Sequence, residues 1–164
     1  MMNSSLWGNL FHKGDNWQQQ CARLWAATAL FDGIPKREIE RLVAAMIPRS
    51  YQSGELIFHD GDEGAGAALI VAGQIEIRSG EVVLAKLASG DYFGEIALVL
   101  DVPRTADAVA MEETQLLFFL QSELDEWLAR APYYAGRLSK NLANVLAQRL
   151  TLANRALARR GEGK

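Results

Sequence analysis

The sequence predicts an α+β fold in which a small β jelly-roll is flanked by N-terminal helices and by two C-terminal helices, the last one long. Between residues 51 and 120, short alternating or apolar segments follow one another closely and are separated by glycine turns. This pattern is typical of seven or eight short strands in a jelly-roll. On both sides of that region, apolar residues recur at three- and four-residue spacing, which indicates amphipathic helices.

Two helices are predicted ahead of the strands. The first is indicated by residues at helical spacing, namely Trp17, Cys21, Leu24, Trp25 and Thr28. A stripe that contains tryptophan is more often core or dimer seam than a cofactor site. The second helix spans residues 36–46 and is expected to end before Pro48; its apolar face carries Ile39, Leu42, Val43 and Met46.

The strand region is divided by turn residues into several short segments. Residues 51–58 predict a strand, a turn and a second strand. Residues 67–71 and 74–78 flank Ala72 and Gly73, and this arrangement predicts a β-hairpin. Further strands are predicted at residues 81–87, 105–111 and 115–120.

Two helices are also predicted after the strands. Ser122, with Asp125 three residues later, indicates the start of the first helix, and Pro132 indicates its end. A much longer helix is predicted over residues 133–158. So small a barrel cannot cover all of it, and part of its apolar stripe is expected to contact another chain. That stripe consists of Leu138, Leu142, Val145, Leu146, Leu150, Leu152, Ala153 and Leu157.

Composition and charge exclude several classes of protein. The formal net charge of -3 argues against a large nucleic-acid-binding surface, which is normally strongly basic. The single cysteine, Cys21, rules out an internal disulfide framework and a cysteine-ligated cluster. No apolar run reaches the roughly 20 residues that span a bilayer, and no signal-peptide pattern begins the chain. We therefore expect a cytoplasmic protein that binds neither nucleic acid nor a membrane.

Residues 93–106 combine groups that suit a small sugar phosphate. Gly94 allows the backbone to approach a ligand closely, and Glu95 offers a carboxylate to hydroxyl groups. The apolar run after Glu95 predicts one or two helical turns whose free N–H groups favour an anion. Arg104, directly after Pro103, supplies a fork of N–H donors that matches a phosphate. The segment therefore predicts binding of a sugar phosphate with one negative charge.

The same segment resembles the phosphate-binding cassette of the cyclic nucleotide-binding domain family. That cassette runs Phe-Gly-Glu-(Leu or Ile)-(Ala or Gly)-Leu, a short spacer, and Pro-Arg-(Ser, Thr or Ala)-Ala, and residues 93–106 match it, including the spacer length. The resemblance covers nearly all of the chain. The family supplies the sensor domain of catabolite activator protein-like regulators, cyclic nucleotide-dependent kinases and cyclic nucleotide-gated channels. In this chain we expect the sensor domain without a DNA-binding, kinase or channel domain.

This resemblance implies a domain organisation. Residues 1–28 are expected to form an N-terminal extension with an amphipathic helix, and residues 29–164 are expected to form the cyclic nucleotide-binding domain. Within that domain, the resemblance implies a helical lead-in at residues 29–47, the β-roll with its cassette at 48–121, and the C-terminal helices at 122–160.

The family's binding residues carry over to matching positions of the cassette. By this resemblance, Glu95 accepts the ribose 2′-hydroxyl and Arg104 pairs with the cyclic phosphate. Backbone N–H groups of Ile96, Ala97 and Thr105 complete the anion site. The ligand is expected to be cAMP or cGMP, with no cofactor and no metal. The implied ligand-binding residues are Gly94, Glu95, Ile96, Ala97, Arg104, Thr105 and Ala106.

Further positions concern coupling and base selectivity. In the family, the residue matching Leu98 is a hydrophobic hinge that links the filled cassette to movement of the C-terminal helices. Asn154 and Arg155 are the predicted lid by their position in the last helix. Thr105 favours or permits cGMP, because Thr there can bridge the phosphate and the guanine amino group; Ser or Thr also occurs in cAMP binders.

Asp107 departs from the family pattern, which usually has Thr or Ser at this position. A carboxylate within about 6 Å of a cyclic phosphate would oppose binding by roughly 1 to 3 kcal/mol. If residues 104–109 are extended, however, Asp107 points to the face opposite Arg104. The second interpretation is the one we prefer.

The sequence therefore predicts a non-enzymatic sensor of cAMP or cGMP, whose filled cassette repositions the C-terminal helices to regulate a homodimer or an effector protein. The main alternative is a ligand-free protein-interaction module on the same fold, which predicts loss of Glu95 or Arg104, and both are present. A cupin-type metalloenzyme needs clustered histidines, whereas the chain has only His12 and His59. A haem or iron–sulfur sensor lacks its ligands, and DNA binding would need a recognition helix and a basic face.

Overall fold

Two four-stranded antiparallel sheets and four α-helices make up the described part of the chain, residues 16–161 of a computed structural model. The helices are α1 (Asn16–Ala26), α2 (Lys36–Val43), α3 (Gln121–Arg130) and α4 (Pro132–Gly161). The strands are β1 (Ile47–Tyr51), β2 (Leu56–Phe58), β3 (Gly66–Ala72), β4 (Gln74–Ser79), β5 (Val82–Ala88), β6 (Tyr92–Phe93), β7 (Asp107–Ala110) and β8 (Thr114–Leu120). Short 3-10 helices span Ala29–Phe31 and Glu95–Leu98. The predicted α+β jelly-roll with C-terminal helices is confirmed.

The two sheets have the strand orders β1-β8-β3-β6 and β2-β7-β4-β5. The predicted hairpin of β3 and β4 is wrong, because these consecutive strands lie in different sheets. β3 is almost entirely buried between β8 and β6, whereas β4 pairs with β5 and β7. The chain changes sheet at Gly73, whose φ is 92° and where a Cβ would lie 2.5 Å from Thr114 Oγ1. A residue with a side chain could not make this crossing.

The start of the barrel also differs from the prediction. α2 ends at Val43, and Pro48 lies inside β1 rather than closing the helix. Proline lacks the N–H that a central strand needs, but β1 is at the edge of its sheet and pairs with β8 on one side only. The position of β1 therefore explains why Pro48 is tolerated.

The N-terminal helix belongs to the main hydrophobic core. Cys21, Ala22 and Trp25 of α1 are buried in the same cluster as residues from the barrel and the C-terminal helices. The Trp25 ring lies 5.0 Å from that of Phe31 and 5.8 Å from that of Tyr92, measured between centroids. The domain boundary after residue 28 stays a prediction, but the helix predicted as an extension shares one core with the rest.

The C-terminal helices begin on the barrel and then leave it. α3 starts at Gln121, and the carboxylate of Glu123 accepts the N–H of Leu120 at 3.0 Å, so the predicted cap at Ser122 is wrong. The first half of α4 buries one face against the body, and its Asn141 Nδ2 donates to the carbonyls of Leu30 and Asp32 at 3.0 and 2.8 Å. In the second half, the exposed apolar side chains are Leu150, Leu152 and Leu157, at 62 to 65%. Among the described residues, none of the helices is both long and apolar enough to cross a membrane.

Candidate ligand-binding site

A cavity of about 600 Å³ lies between the cassette, the wall formed by β4 and β5, and α4. This volume is within the usual range of small-molecule sites. The cassette side supplies all the polar groups that the sequence predicted, and the β4–β5 wall is apolar, with Ile77, Leu84 and Leu87. The predicted ligand-binding residues all line this one cavity: Gly94, Glu95, Ile96, Ala97, Arg104, Thr105 and Ala106.

The cassette turns sharply at Gly94. This residue has a φ of +74°, and a Cβ there would lie 2.6 Å from Arg104 Nη1. Glycine is therefore required both for the left-handed backbone and for the close approach of the guanidinium. The 3-10 helix that follows already uses one predicted donor, because the N–H of Ala97 donates to the carbonyl of Gly94 at 3.1 Å.

Arg104 is held in place by neutral groups. Its Nη1 donates to the carbonyl of Gly66 at 2.9 Å, and its Cζ lies 4.3 Å from the centroid of the Phe58 ring. Burial lowers the pKa of the Arg104 guanidinium, an effect that nearby Asp62 opposes. Its Nε is buried and finds no hydrogen-bond acceptor among the described residues. A partly buried cation without an ion pair is costly, so the arrangement favours an anionic ligand.

Glu95 is the most buried charged residue of the cavity, with only 2% of its surface exposed. Its Oε1 accepts a hydrogen bond from Nη1 of Arg149 in α4, and the two form an ion pair. The Arg149 guanidinium also lies 5.6 Å from the centroid of the Tyr92 ring. An unpaired buried carboxylate would be strongly destabilising, and Arg149 compensates its charge.

Arg149 was not identified as a site residue from the sequence. A signal was nevertheless present. Arg149 lies four residues after Val145 and seven after Leu142, both of which are buried. This spacing places all three on the same helix face, so Arg149 continues the buried stripe.

The predicted lid residues are not at the cavity. From α4, the cavity is lined by Arg149 and Leu152, whereas Asn154 and Arg155 are exposed and do not line it. The helix rotation explains the difference, because Asn154 lies about 140° around the axis from Arg149. Arg155 lies more than one turn further from the body than Arg149.

Asp107 faces away from the cavity, although not for the predicted reason. Residues 104–106 are irregular, and the strand begins only at Asp107. Its Oδ1 accepts the backbone N–H of Asp60 at 2.8 Å and lies 3.5 Å from Nδ1 of His59. The bond from Asp60 is the main reason why the pKa of the Asp107 carboxyl lies below its ordinary value, and His59 and Arg78 lower it further.

Leu98 lies where the cassette contacts the helical core. Its side chain is 1% exposed and belongs to the same cluster as Leu124 and Trp127 of α3 and Leu142 of α4. The cassette therefore shares one hydrophobic core with both C-terminal helices. The hinge role itself stays a prediction.

The sequence profile described as "Cyclic nucleotide-binding domain" matches residues 48–131. The chain belongs to this family. Cyclic AMP receptor protein of Thermus thermophilus is 33% identical over 130 residues, which cover 76% of this chain and 58% of that protein. A cAMP-dependent protein kinase regulatory subunit of Mycosarcoma maydis is 36% identical over 89 residues, which cover 52% of this chain and 17% of that protein.

Solved structures agree with this assignment. The crystal structure of Thermus thermophilus Catabolite Activator Protein superposes with a TM-score of 0.71 at 32% identity, covering 80% of this chain and 62% of that one. The chain thus spans about three fifths of the length of the bacterial receptor and regulator proteins that it matches. Cyclic nucleotide-binding domains are regulatory domains that bind cAMP as a ligand rather than as a cofactor. Over residues 16–161, no group of three His, Cys, Asp or Glu side chains is placed to hold a metal ion.

Proposed function

We propose that this chain is a non-enzymatic sensor that binds cAMP or cGMP in the cavity and repositions α4 to regulate a second copy or an effector protein. One observation carries the proposal. Glu95 and Arg104, nine residues apart, line the same cavity, and Arg104 has no carboxylate partner among the described residues. The cavity therefore offers a buried cation to a phosphate and a buried carboxylate to a hydroxyl.

Each predicted contact follows from the chemistry of its group. Arg104 pairs with the cyclic phosphate, because a guanidinium forms strong charge-assisted hydrogen bonds to phosphate oxygens. Glu95 accepts the ribose 2′-hydroxyl. The N–H groups of Ile96 and Thr105 complete the phosphate site, whereas that of Ala97 is engaged within the 3-10 turn. The base then faces the apolar wall of β4 and β5.

The ion pair between Glu95 and Arg149 supports the proposed coupling to α4. From Ala147 to Arg159, every α4 residue is exposed, and the Arg149 side chain connects this half of the helix to the cavity. A ribose hydroxyl that binds the Glu95 carboxylate competes with Arg149 for that carboxylate and so alters the ion pair that holds Arg149. A ligand shifts a conformational equilibrium only through such differences in contacts.

Exposed apolar side chains on α4 support the proposal that this helix contacts a partner. Leu150 and Leu157, seven residues apart, lie on one face of α4 and are too exposed to belong to the core, whereas Leu152 lines the cavity. Exposed apolar patches usually mark interfaces, and the simplest arrangement is an isologous dimer through α4. Sedimentation of the full chain with and without cAMP, compared with a Leu150→Glu/Leu157→Glu variant, tests this. If the unmodified chain is monomeric throughout and hydrogen exchange of α4 ignores cAMP, the output proposal is wrong.

Some structural support also exists for the alternative, a ligand-free interaction module. Arg149 already satisfies Glu95, so the carboxylate does not need a ligand to be stable. Arg104 favours the sensor, because a vestigial pocket has no reason to keep a partly buried cation that forms no ion pair with any described residue. We take the sensor to act in the cytoplasm, in keeping with its one cysteine, Cys21, which is buried and free.

Isothermal titration calorimetry with cAMP and with cGMP tests the proposed function. We expect binding heat for at least one, together with a higher melting temperature, because a ligand at a hundred times its Kd adds roughly 2.7 kcal/mol to stability. Thr105 favours or permits cGMP, so the two titrations together determine which of the two nucleotides the chain prefers. Chromatography of the nucleotide afterwards should recover it unchanged, as expected for a sensor. No heat and no melting shift with either nucleotide at millimolar concentration would reject the proposal and favour the interaction module.

A further inference from the structure

The main chain around Arg104 is held by the loop that follows β2. The N–H of Arg104 donates to the carbonyl of Asp62 at 2.7 Å, and the N–H of Gly61 donates to the carbonyl of Arg104 at 2.8 Å. One residue earlier, Pro103 forms an isolated β-bridge with Glu63. These contacts hold the main chain at Pro103 and Arg104, so the position of the loop determines the position from which the Arg104 side chain extends to the cavity.

The loop is in turn held by Asp107. Within the loop, the carboxylate of Asp62 accepts the N–H of His59 at 2.7 Å, which closes a tight turn. From outside, Asp107 Oδ1 accepts the N–H of Asp60 at 2.8 Å. Asp107 itself stands on the sheet, where β7 pairs it with Arg78 of β4, whose Nε lies 3.8 Å from its Oδ2. A chain of contacts therefore leads from the sheet through Asp107 and the loop to Arg104.

We propose that Asp107 is a positioning residue for Arg104, which it serves by fixing the loop of residues 59–63. The proposal rests on the proposed function, because the positioning of Arg104 affects binding only if Arg104 contacts the phosphate of the ligand. Among the described residues, no carboxylate forms an ion pair with the side chain of Arg104 to fix it. Its placement depends on two carbonyls, one aromatic ring and its main chain. Loosening the main chain therefore reduces the preorganisation of the site.

The sign of the effect distinguishes this role from simple charge repulsion. A carboxylate that repelled the cyclic phosphate would weaken binding, and its removal would tighten binding. A carboxylate that holds the loop strengthens binding, and its removal weakens binding. Asp107 does not line the cavity, and its Oδ1 is occupied by the Asp60 N–H, so the structure favours the second role.

The test measures the Kd for cAMP by calorimetry on the full chain. We expect Asp107→Ala to weaken binding about threefold to tenfold, the range of one lost hydrogen bond. Asp107→Asn keeps an oxygen acceptor for the Asp60 N–H, and we expect it to stay within about twofold of the unmodified chain. If Asp107→Ala does not fold, Asp107→Val replaces it, because it favours the strand and likewise lacks an acceptor.

Glu55→Ala is the matched control. Glu55 is also a carboxylate that accepts a backbone N–H in a surface turn, that of Gln52 at 2.7 Å, but it does not line the cavity. We expect its Kd for cAMP to be unchanged. A loss of affinity equal to that of Asp107→Ala would mean that any loosened turn weakens binding, and the inference would fall.

A double-mutant cycle with Arg104→Ala separates positioning from a general structural role. If Asp107 acts through Arg104, then Asp107→Ala should have little further effect once Arg104 is removed. Additive losses would overturn the proposal, as would unchanged or tighter binding by Asp107→Ala alone. If the unmodified chain binds neither cAMP nor cGMP, the proposed function fails as well. If it binds and the Asp107 variants match it, only this inference fails.

Discussion

Two arginines reach the same cavity from regions that differ in how they are held. Arg104 comes from the cassette, where main-chain hydrogen bonds, a glycine and an aromatic ring surround it, and its Nε lacks an acceptor among the described residues. Arg149 comes from the exposed half of α4 and is held by its ion pair with buried Glu95. Within the described part of the chain, the first is a firmly held cation without an ion pair, and the second is a neutralised cation on a weakly attached helix.

This difference assigns the two residues different tasks. A cation that is held in place and has no ion pair is suited to binding an anion, because little reorganisation is needed when the ligand binds. A neutralised cation on a helix with few other contacts is suited to coupling ligand binding to movement of the helix, because the helix loses its main contact with the cavity when the cation loses its partner. Substitutions at Arg104, Glu95 and Arg149 separate ligand binding from coupling to the helix.

Replacing Arg104 should have the largest effect on binding. We expect Arg104→Ala to weaken cAMP binding by about 30- to 150-fold, or roughly 2 to 3 kcal/mol, because it removes a charge-assisted hydrogen-bonded pair. Calorimetry measures the affinity, and a melting curve without ligand should change little. Arg155→Ala, an exposed arginine of α4 outside the cavity, is the control and should bind as the unmodified chain does. A variant that unfolds but keeps its affinity would identify Arg104 as structural.

Replacing Glu95 should have the next largest effect, and on two properties at once. Glu95→Gln should weaken cAMP binding by about tenfold, less than Arg104→Ala, because a ribose hydroxyl is neutral. It also removes the partner of Arg149, so hydrogen exchange should become faster in the second half of α4 even without ligand. Exchange that is unchanged there would show that the ion pair does not anchor the helix.

Replacing Arg149 tests whether it competes with the ligand. Arg149 is half exposed, so its pair with Glu95 is weaker than a fully buried one. We expect Arg149→Gln to bind cAMP about twofold to fivefold more tightly, because the ribose hydroxyl no longer displaces a cation. Arg155→Gln is the matched control on the same helix. Weaker binding by Arg149→Gln would instead show that Arg149 supports the bound ligand.

The smallest expected effect concerns the pH dependence of stability at Asp107. The pKa of its carboxyl is lowered in the folded state, first by the Asp60 N–H and then by His59 and Arg78. A lowered folded pKa contributes stability above the unfolded value of about 3.9, and this contribution is lost as the pH falls through the folded pKa. The difference in melting temperature between the unmodified chain and Asp107→Asn should therefore be present at neutral pH and shrink below about pH 4. A difference that grows in acid would contradict this assignment.

Much of the cassette could be predicted because its information is local. The spacing from Gly94 to Ala106 places every predicted binding residue at one cavity, and the periods of two and three to four identify most strands and helices. The physical reason is that turn glycines, strand alternation and helix faces act over a few residues. For the same reason the sequence alone predicted that α4 carries more apolar side chains than the barrel can cover, and several of them are exposed.

The long-range contacts could not be predicted in this way. Arg149 meets Glu95 across 54 positions, and Asp107 meets Asp60 across 47. The sequence spacing shows that Arg149 lies on the buried face of a helix, but not which carboxylate stands opposite. The position of the predicted lid residues, Asn154 and Arg155, could not be predicted for a related reason, because it depends on the rotation and direction of α4 relative to the barrel; their role as a lid stays a prediction.

The sequence by itself determined the family, the order of strands and helices, and the residues of the cassette, since these depend on local chemistry and spacing. Only the tertiary structure decided that β3 and β4 lie in different sheets, that the N–H of Ala97 is already engaged, and that Asp107 faces the loop instead of the cavity. These outcomes depend on how whole sheets and helices pack. Packing is a collective property, in which each side chain takes the position left by distant parts of the chain.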